Sequence, residues 1–184
     1  MPLHGPARLE ERDGRPTLVF ERVLPYPPER VWRALTRHEE LYDWHPTPFR
    51  FEPVVGGKVE FLPTPEGPSM PAGEVRGYEP PTLLAYSWGE DELRFELRPH
   101  EQGSVLTLLH SFDDRYKAAR DAAGWETCLT VLSERLAEDR PRARGDGPRL
   151  PPGDWRRVNS EYELRFGIPP ERATPPPKTE GRGF

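Results

Sequence analysis

The sequence has a single cysteine, Cys128, and no long apolar run. One thiol excludes an internal disulfide and any metal site built from several cysteines. No segment approaches the roughly 20 consecutive apolar residues needed to cross a bilayer. The first residues, MPLHGPARLEERDG, also lack the apolar core of a signal peptide. We therefore expect a cytoplasmic protein.

Basic residues are not in excess either, since 26 Lys and Arg stand against 31 Asp and Glu. No basic block occurs before residue 140, which argues against a nucleic-acid surface on the main domain. No nucleophile-elbow, phosphate-loop or HExxH pattern is present. The histidines are spread over separate predicted elements. The sequence therefore predicts no catalytic residue, no metal site and no cofactor.

Hydrophobic residues make up only 34% of the chain, while prolines number 25 and are dense in 46–81 and after 141. Such a composition indicates loops or tails beside one folded domain. The predicted divisions are a flexible N-terminus (1–16), a folded domain (17–139), a linker (140–153), an amphipathic helix (154–167) and a disordered tail (168–184).

Alternating apolar and charged residues predict an antiparallel sheet with one covered face. The clearest case is the hairpin LLAYSWGEDELRFELR, in which Leu93, Phe95 and Leu97 alternate with charged residues. The other predicted strands are 17–24, two pieces around Gly56-Gly57, 72–79 and 104–112.

The segment GWETCLTVLSERL repeats apolar residues at intervals of three and four, which predicts one buried stripe on a long helix. That stripe contains Trp125, Cys128, Leu129, Leu132 and Leu136. The element order is a strand, two helices, further strands and a long helix, without strand–helix alternation. This order favours an α+β fold, with the long helix expected across the concave face of the sheet.

Five short motifs occur in order and resemble one known family. They are Pro27 to Trp32 (PPERVW), Trp44, Gly56-Gly57, Trp88 and Gly124-Trp125. The chain resembles the START-like (SRPBCC) superfamily and, within it, the branch named for the activator of heat-shock protein 90 ATPase, homologue-1-like. The resemblance covers about 17–138. It implies the helix-grip fold, with a curved antiparallel sheet of six or seven strands wrapped around a long C-terminal helix.

The resemblance also implies a cavity between sheet and helix that binds a small hydrophobic or amphipathic ligand. The predicted lining residues are Trp44, Phe61, Val75, Tyr86, Trp88, Phe95, Leu108, His110, Trp125 and Leu129. We expect His110, Tyr86 and Arg94 to orient the ligand. The alternative is that these side chains simply fill the core.

Individual residues keep more than one interpretation. His110 shares a face with Leu106 and Leu108, so it is either a ligand anchor, an acid or base, or a histidine bonded within the core. Glu74 and Arg76 form either a polar floor or a solvated outer face. Asp91 is interpreted as a turn residue. Cys128, on the buried stripe, is expected to be inert.

The C-terminal helix carries Trp155, Tyr162 and Phe166, which either dock on their own domain or bind a partner protein or a second copy. For the whole chain, the leading hypothesis is a non-enzymatic ligand-binding domain without nucleic-acid or membrane partners. The alternatives are a protein-interaction module of the heat-shock protein 90 ATPase activator type, and a cyclase or hydratase acting on aromatic polyketide-like substrates.

Overall fold

A computed structural model describes residues 5–63, 70–138 and 152–175, and within these ranges eight strands form one antiparallel sheet. The strands are Arg8–Arg12 (β1), Arg15–Leu24 (β2), Phe49–Phe51 (β3), Lys58–Phe61 (β4), Gly73–Glu79 (β5), Leu83–Trp88 (β6), Asp91–His100 (β7) and Gly103–Ser111 (β8). Their spatial order is β1-β2-β8-β7-β6-β5-β4-β3.

The sheet has more strands than the six or seven predicted, because β1 lies in the segment 1–16 that was expected to be flexible. That expectation was wrong for Arg8–Arg12. Asp13 and Gly14 join β1 to β2 with φ angles of 51° and 75°. An Asp-Gly pair with two positive φ angles suits a tight two-residue hairpin, and this local signal was present in the sequence.

The helices are Pro28–Thr36 (α1), His38–Trp44 (α2), Ala118–Ala137 (α3) and Pro152–Phe166 (α4). Pro28 begins α1, where its missing N–H is not needed. Glu40 of α2 accepts bonds from Arg30 Nη1 at 2.8 Å and from Arg33 Nε at 2.9 Å, which fixes α2 beside α1. No helix in the described ranges is long and apolar enough to span a membrane.

By their internal contacts, the residues form two compact units. The first comprises Met1–Leu41 and Thr47–Asp113, and the second comprises Tyr42–Pro46 and Asp114–Phe184. The first unit therefore contains the sheet with α1, whereas α3 and α4 belong to the second.

The strands of the first unit give the sheet two chemically different faces, because successive side chains of a strand point to opposite sides. We call one the apolar face. It carries Leu18 and Phe20 of β2, Leu84 and Tyr86 of β6, Leu93 and Phe95 of β7, and Leu106, Leu108 and His110 of β8. We call the other the charged face. It carries Arg8 of β1, Glu21 of β2, Arg94 and Glu96 of β7, and the uncharged Val19, Thr107 and Leu109 between them.

In the second unit, the stripe predicted on α3 is buried over its whole length, from Trp125 to Leu136. A single 3₁₀ turn, Arg115–Lys117, precedes α3 and is capped by the Asp114 side chain. Asp114 therefore begins the helical region that leads into α3.

The C-terminal helix occurs as predicted, at Pro152–Phe166 against the expected 154–167. Most of the predicted linker, and residues 176–184 of the predicted tail, lie outside the described residues. Residues 168–175 are described: Ile168 is buried, and the Thr174 amide donates to the Tyr116 carbonyl at 3.2 Å. The first part of the predicted tail is therefore ordered within the second unit.

Candidate ligand-binding site

Aromatic rings cluster on the apolar face of the first unit. The Tyr86 ring lies 4.7 Å from Phe49, 6.3 Å from Phe95 and 6.4 Å from Phe61, measured between centroids. All four side chains are buried. Aromatic pairs at such separations attract one another beyond the burial of their area. The cluster is therefore a rigid, apolar wall.

Most of the predicted lining residues meet on this face because they occupy matching strand positions. Val75 is opposite Tyr86, and Leu108 is opposite Phe95. Phe61 reaches the same cluster from β4, and His110 follows Leu108 by two residues on β8. The structure thus brings these side chains together, while their role as the lining of a cavity stays a prediction.

His110 introduces a polar pair into this apolar surface. Its Nε2 lies 2.8 Å from Asp91 Oδ2, and the side chains are 0% and 11% exposed, respectively. The Trp88 ring lies edge-on at 5.5 Å and the Phe112 ring at 5.1 Å. A carboxylate hydrogen-bonded to an imidazole fixes the orientation of the ring. The pair can therefore bind a polar ligand group or transfer a proton.

Asp91 was interpreted as a turn residue, and the structure corrects this. It is the first residue of β7, and it is paired with Trp88 across a two-residue turn. The alternation of Leu93, Phe95 and Leu97, continued two residues backwards, places Asp91 on the apolar face. This alternation was visible in the sequence. The adjoining residues GEDE, however, have the composition of a turn, and Asp91 was assigned to the turn for that reason.

Trp88 lies at the rim of the cluster and is only partly buried. Its indole N–H donates to Thr47 Oγ1 at 3.2 Å, a bond between β6 and the segment that precedes β3. Tyr86, by contrast, is wholly buried, and burial raises the pKa of its phenol well above the ordinary value. Tyr86 is therefore a neutral hydroxyl throughout the physiological pH range.

Arg94 does not belong to this group, and its predicted role in orienting a ligand with His110 was wrong. It pairs across the sheet with Ala85 and Leu109, which places it on the charged face. There its Nε donates to Glu96 Oε1 at 2.6 Å. Glu74 and Arg76 are likewise exposed and bonded to each other at 2.8 Å, as expected for a solvated outer face.

The remaining predicted lining residues, Trp44, Trp125 and Leu129, belong to the second unit and are all buried. There the His45 ring lies 5.3 Å from Trp44 and 5.6 Å from Trp125, edge-on to both. Cys128 is buried on the same stripe of α3, and burial raises the pKa of its thiol. The neutral thiol is a poor nucleophile, as the sequence led us to expect.

The C-terminal residues proposed for a partner lie against α3. Tyr162 is 3% exposed, and its hydroxyl donates to Glu126 Oε1. The Phe166 ring lies 5.1 Å from Tyr162, and its carbonyl accepts from Arg115 Nη2 at 3.0 Å. Trp155 is partly buried. These contacts agree with the alternative that α4 docks on its own domain. Binding of a partner by these residues stays a prediction.

Comparison with known proteins gives a family and a fold. A family model described as "Activator of Hsp90 ATPase homolog 1-like protein" matches residues 25–137. No curated protein matches the sequence significantly.

Several solved structures are similar to the chain. EF2215 from Enterococcus faecalis, a conserved protein of unknown function, is 19% identical with a TM-score of 0.68, covering 88% of this chain and 90% of its own. CalU16 from Micromonospora echinospora is 20% identical with a TM-score of 0.67, covering 87% and 89%. The protein encoded by BPP1335 of Bordetella parapertussis is 26% identical with a TM-score of 0.61, covering 81% and 85%. These likenesses confirm the predicted helix-grip α+β fold.

Proposed function

Since the chain belongs to the family of activator of Hsp90 ATPase homolog 1-like proteins, we propose that it binds a small hydrophobic or amphipathic molecule at the apolar face of its sheet. The supporting observation is the His110–Asp91 pair set among aromatic rings. Pockets for small molecules are typically apolar with a few polar groups that fix orientation.

The two parts of this site have different tasks. The aromatic wall of Phe49, Phe61, Tyr86 and Phe95 supplies affinity, because burial of apolar surface contributes about 25 cal/mol per Å². A ligand that buries about 200 Å² of apolar surface gains about 5 kcal/mol before the cost of association. The His110–Asp91 pair supplies orientation, because it presents a hydrogen-bonding group at one end of the wall.

Native mass spectrometry of protein purified from its host tests the proposal directly. We expect a retained small molecule with an apolar body, released on denaturation. Leu108→Trp places a large side chain at the centre of the apolar face. If that face borders a ligand, the variant keeps its melting temperature and loses the bound molecule.

Leu109→Trp is the matched control, because Leu109 lies on the opposite face of the same strand. It should keep the ligand. If the apolar face is instead solidly packed, Leu108→Trp destabilises the protein by about 1–3 kcal/mol through overpacking. That result, together with no retained molecule in the wild type, would contradict ligand binding.

A second candidate is catalysis of the cyclase or hydratase type. The observation that favours it is the hydrogen bond between His110 and Asp91. In this reaction class His110 would take or give the proton, and Asp91 would orient the imidazole. With an aromatic polyketide-like probe that is turned over, Asp91→Asn should lower kcat by about 10²- to 10⁴-fold. A normal rate in His110→Ala would eliminate this candidate and leave ligand binding intact.

A further inference from the structure

The Asp91–His110 pair depends on how the beginning of β7 is held beside the end of β8. The ladder between these two strands begins at Glu92, which is opposite Ser111. Asp91 lies one residue outside this ladder, and its pairing partner is Trp88, across the two-residue turn from β6. A side chain that reaches this turn from β8 or β2 therefore affects the position of Asp91.

Arg15, the first residue of β2, makes such a contact. Its Nη2 donates to the Glu90 carbonyl at 3.0 Å, and Glu90 is the turn residue directly before Asp91. Its Nε donates to Asp113 Oδ1 at 2.9 Å. Asp113 follows the end of β8 by two residues. One guanidinium thus joins the β6–β7 turn to the segment that leaves β8.

Arg15 is itself well anchored, because β2 and β8 are paired up to this point. Thr17 is opposite Ser111, and their hydroxyl oxygens lie 2.8 Å apart. The Phe112 amide donates to the Pro16 carbonyl at 3.1 Å, which continues the ladder by one residue. β8 separates β2 from β7 in the sheet, so the axes of β2 and β7 are about 9–10 Å apart. A long side chain with donors in fixed directions, such as that of Arg15, is suited to this span.

We propose that Arg15 is a positioning residue of the candidate site, which holds Asp91 against His110 from the other side of the sheet. Arg15 lies on the charged face, because it precedes Val19 by four residues on the same strand. It therefore does not touch a ligand at the apolar face, and it acts through the backbone at Glu90. Its importance for orienting a ligand rests on the function proposed above.

The expected consequence concerns the hydrogen on the His110 ring. An ionised carboxylate only accepts hydrogen bonds, so Asp91 selects Nε2 as the ring nitrogen that carries the hydrogen in the neutral imidazole. If the turn before Asp91 moves, this selection weakens and the ring populates both tautomers. Arg15 therefore determines how uniformly His110 presents one tautomer to a ligand.

NMR of the labelled imidazole nitrogens in the full chain tests this role without any ligand, with the His110 signals assigned by their loss in His110→Gln. In the wild type we expect the Nε2–H tautomer and a ring hydrogen that exchanges slowly with water. Arg15→Met keeps the apolar stem and removes the guanidinium. It should give a mixture of tautomers and exchange of the ring hydrogen at least about tenfold faster. Arg15→Lys should restore part of the wild-type signature, because its ammonium still donates to the Glu90 carbonyl.

Arg12→Met is the matched control. Arg12 is opposite Arg15 in the β1–β2 hairpin, and it bonds to Glu10 at 2.8 Å on the edge strand rather than to the β6–β7 turn. This variant should leave the NMR signature of His110 unchanged. Arg12→Met and Arg15→Met should melt at nearly the same temperature, since exposed ion pairs contribute little to stability.

If Arg15→Met does not fold, Asp113→Asn removes the charge that anchors Arg15 and should change the His110 signature in the same direction, to a smaller extent. A wild-type tautomer and exchange rate in Arg15→Met would overturn the proposal, because the strands alone would then position Asp91. Changes of amide signals throughout the sheet would overturn it as well, because Arg15 would then be a general stabilising residue. If native mass spectrometry shows no retained molecule while the His110 signature is as expected, the proposed function fails and the positioning role stands.

Discussion

At the residue scale, Gly103 shows how one position limits the path of the chain. It joins β7 to β8 with a φ angle of +130°, outside the regions that side chains tolerate. A Cβ there would lie 2.4 Å from the Leu24 carbonyl oxygen and 2.5 Å from the Tyr26 nitrogen. The turn can therefore approach the end of β2 only because this residue has no side chain.

Gly103→Ala should lower the free energy of unfolding by about 3 kcal/mol, because backbone strain and a backbone clash combine. Urea denaturation measures this. Gly14→Ala is the matched control, since Gly14 also has a positive φ of +75° but open space around its Cβ position. It should cost only about 1–2 kcal/mol. Equal losses in the two variants would mean that the clash at Gly103 is relieved at no cost.

At the element scale, a hydrogen bond from the Tyr162 hydroxyl to Glu126 joins α4 to α3. Tyr162 combines a buried ring with a hydroxyl that donates to Glu126, and Leu164, two residues later, is 85% exposed. Tyr162 and Leu164 therefore lie on opposite sides of α4, one buried and the other exposed.

Tyr162→Phe keeps the ring and removes the hydrogen bond, so we expect a loss of about 1 kcal/mol in the free energy of unfolding. Chemical denaturation followed by tryptophan fluorescence measures the change. Leu164→Ala on the exposed side should stay within about 0.5 kcal/mol of the wild type. If Tyr162→Phe is as neutral as Leu164→Ala, the bond to Glu126 contributes nothing to stability.

At the scale of the whole molecule, two buried groups couple stability to alkaline pH. Burial raises the pKa of the Tyr86 hydroxyl and of the Cys128 thiol in the folded protein. Both groups stay neutral when folded. In the unfolded chain they ionise near their ordinary pKa values, about 8.5 for cysteine and 10 for tyrosine. The unfolded state therefore loses protons first as the pH rises.

The free energy of unfolding therefore falls as the pH rises. The stabilisation is fully present below the unfolded pKa values and is lost above them, by up to about 1.4 kcal/mol per pH unit for each group. Urea denaturation between pH 7 and 10 should show the free energy of unfolding falling from about pH 8.5. Cys128→Ala should delay the fall until tyrosine ionises. The same slope in both proteins between pH 8.5 and 9.5 would contradict a thiol held neutral by folding.

Much of the fold could be predicted because its signals are local. The alternation of Leu93, Phe95 and Leu97 indicates a two-faced strand, and the stripe from Trp125 to Leu136 indicates a buried helix. The strand at Arg8–Arg12 was missed, although Asp13-Gly14 is a hairpin signal, because its charged composition resembles a flexible end. The candidate site was predicted only in its apolar part. The partner of His110 depends on the pairing of β6 with β7 and of β7 with β8.

By itself, the sequence determined which side chains share a face of each element, because the repeats of two and 3.6 residues follow from backbone geometry. It thereby determined the apolar surface, the inert thiol and the α+β class. Only the tertiary structure decided which faces meet in register. Pairing across strands joins residues far apart in the chain, and a shift of one residue moves every side chain to the other face. For that reason the Asp91–His110 contact and the position of Arg94 became visible only in the folded protein.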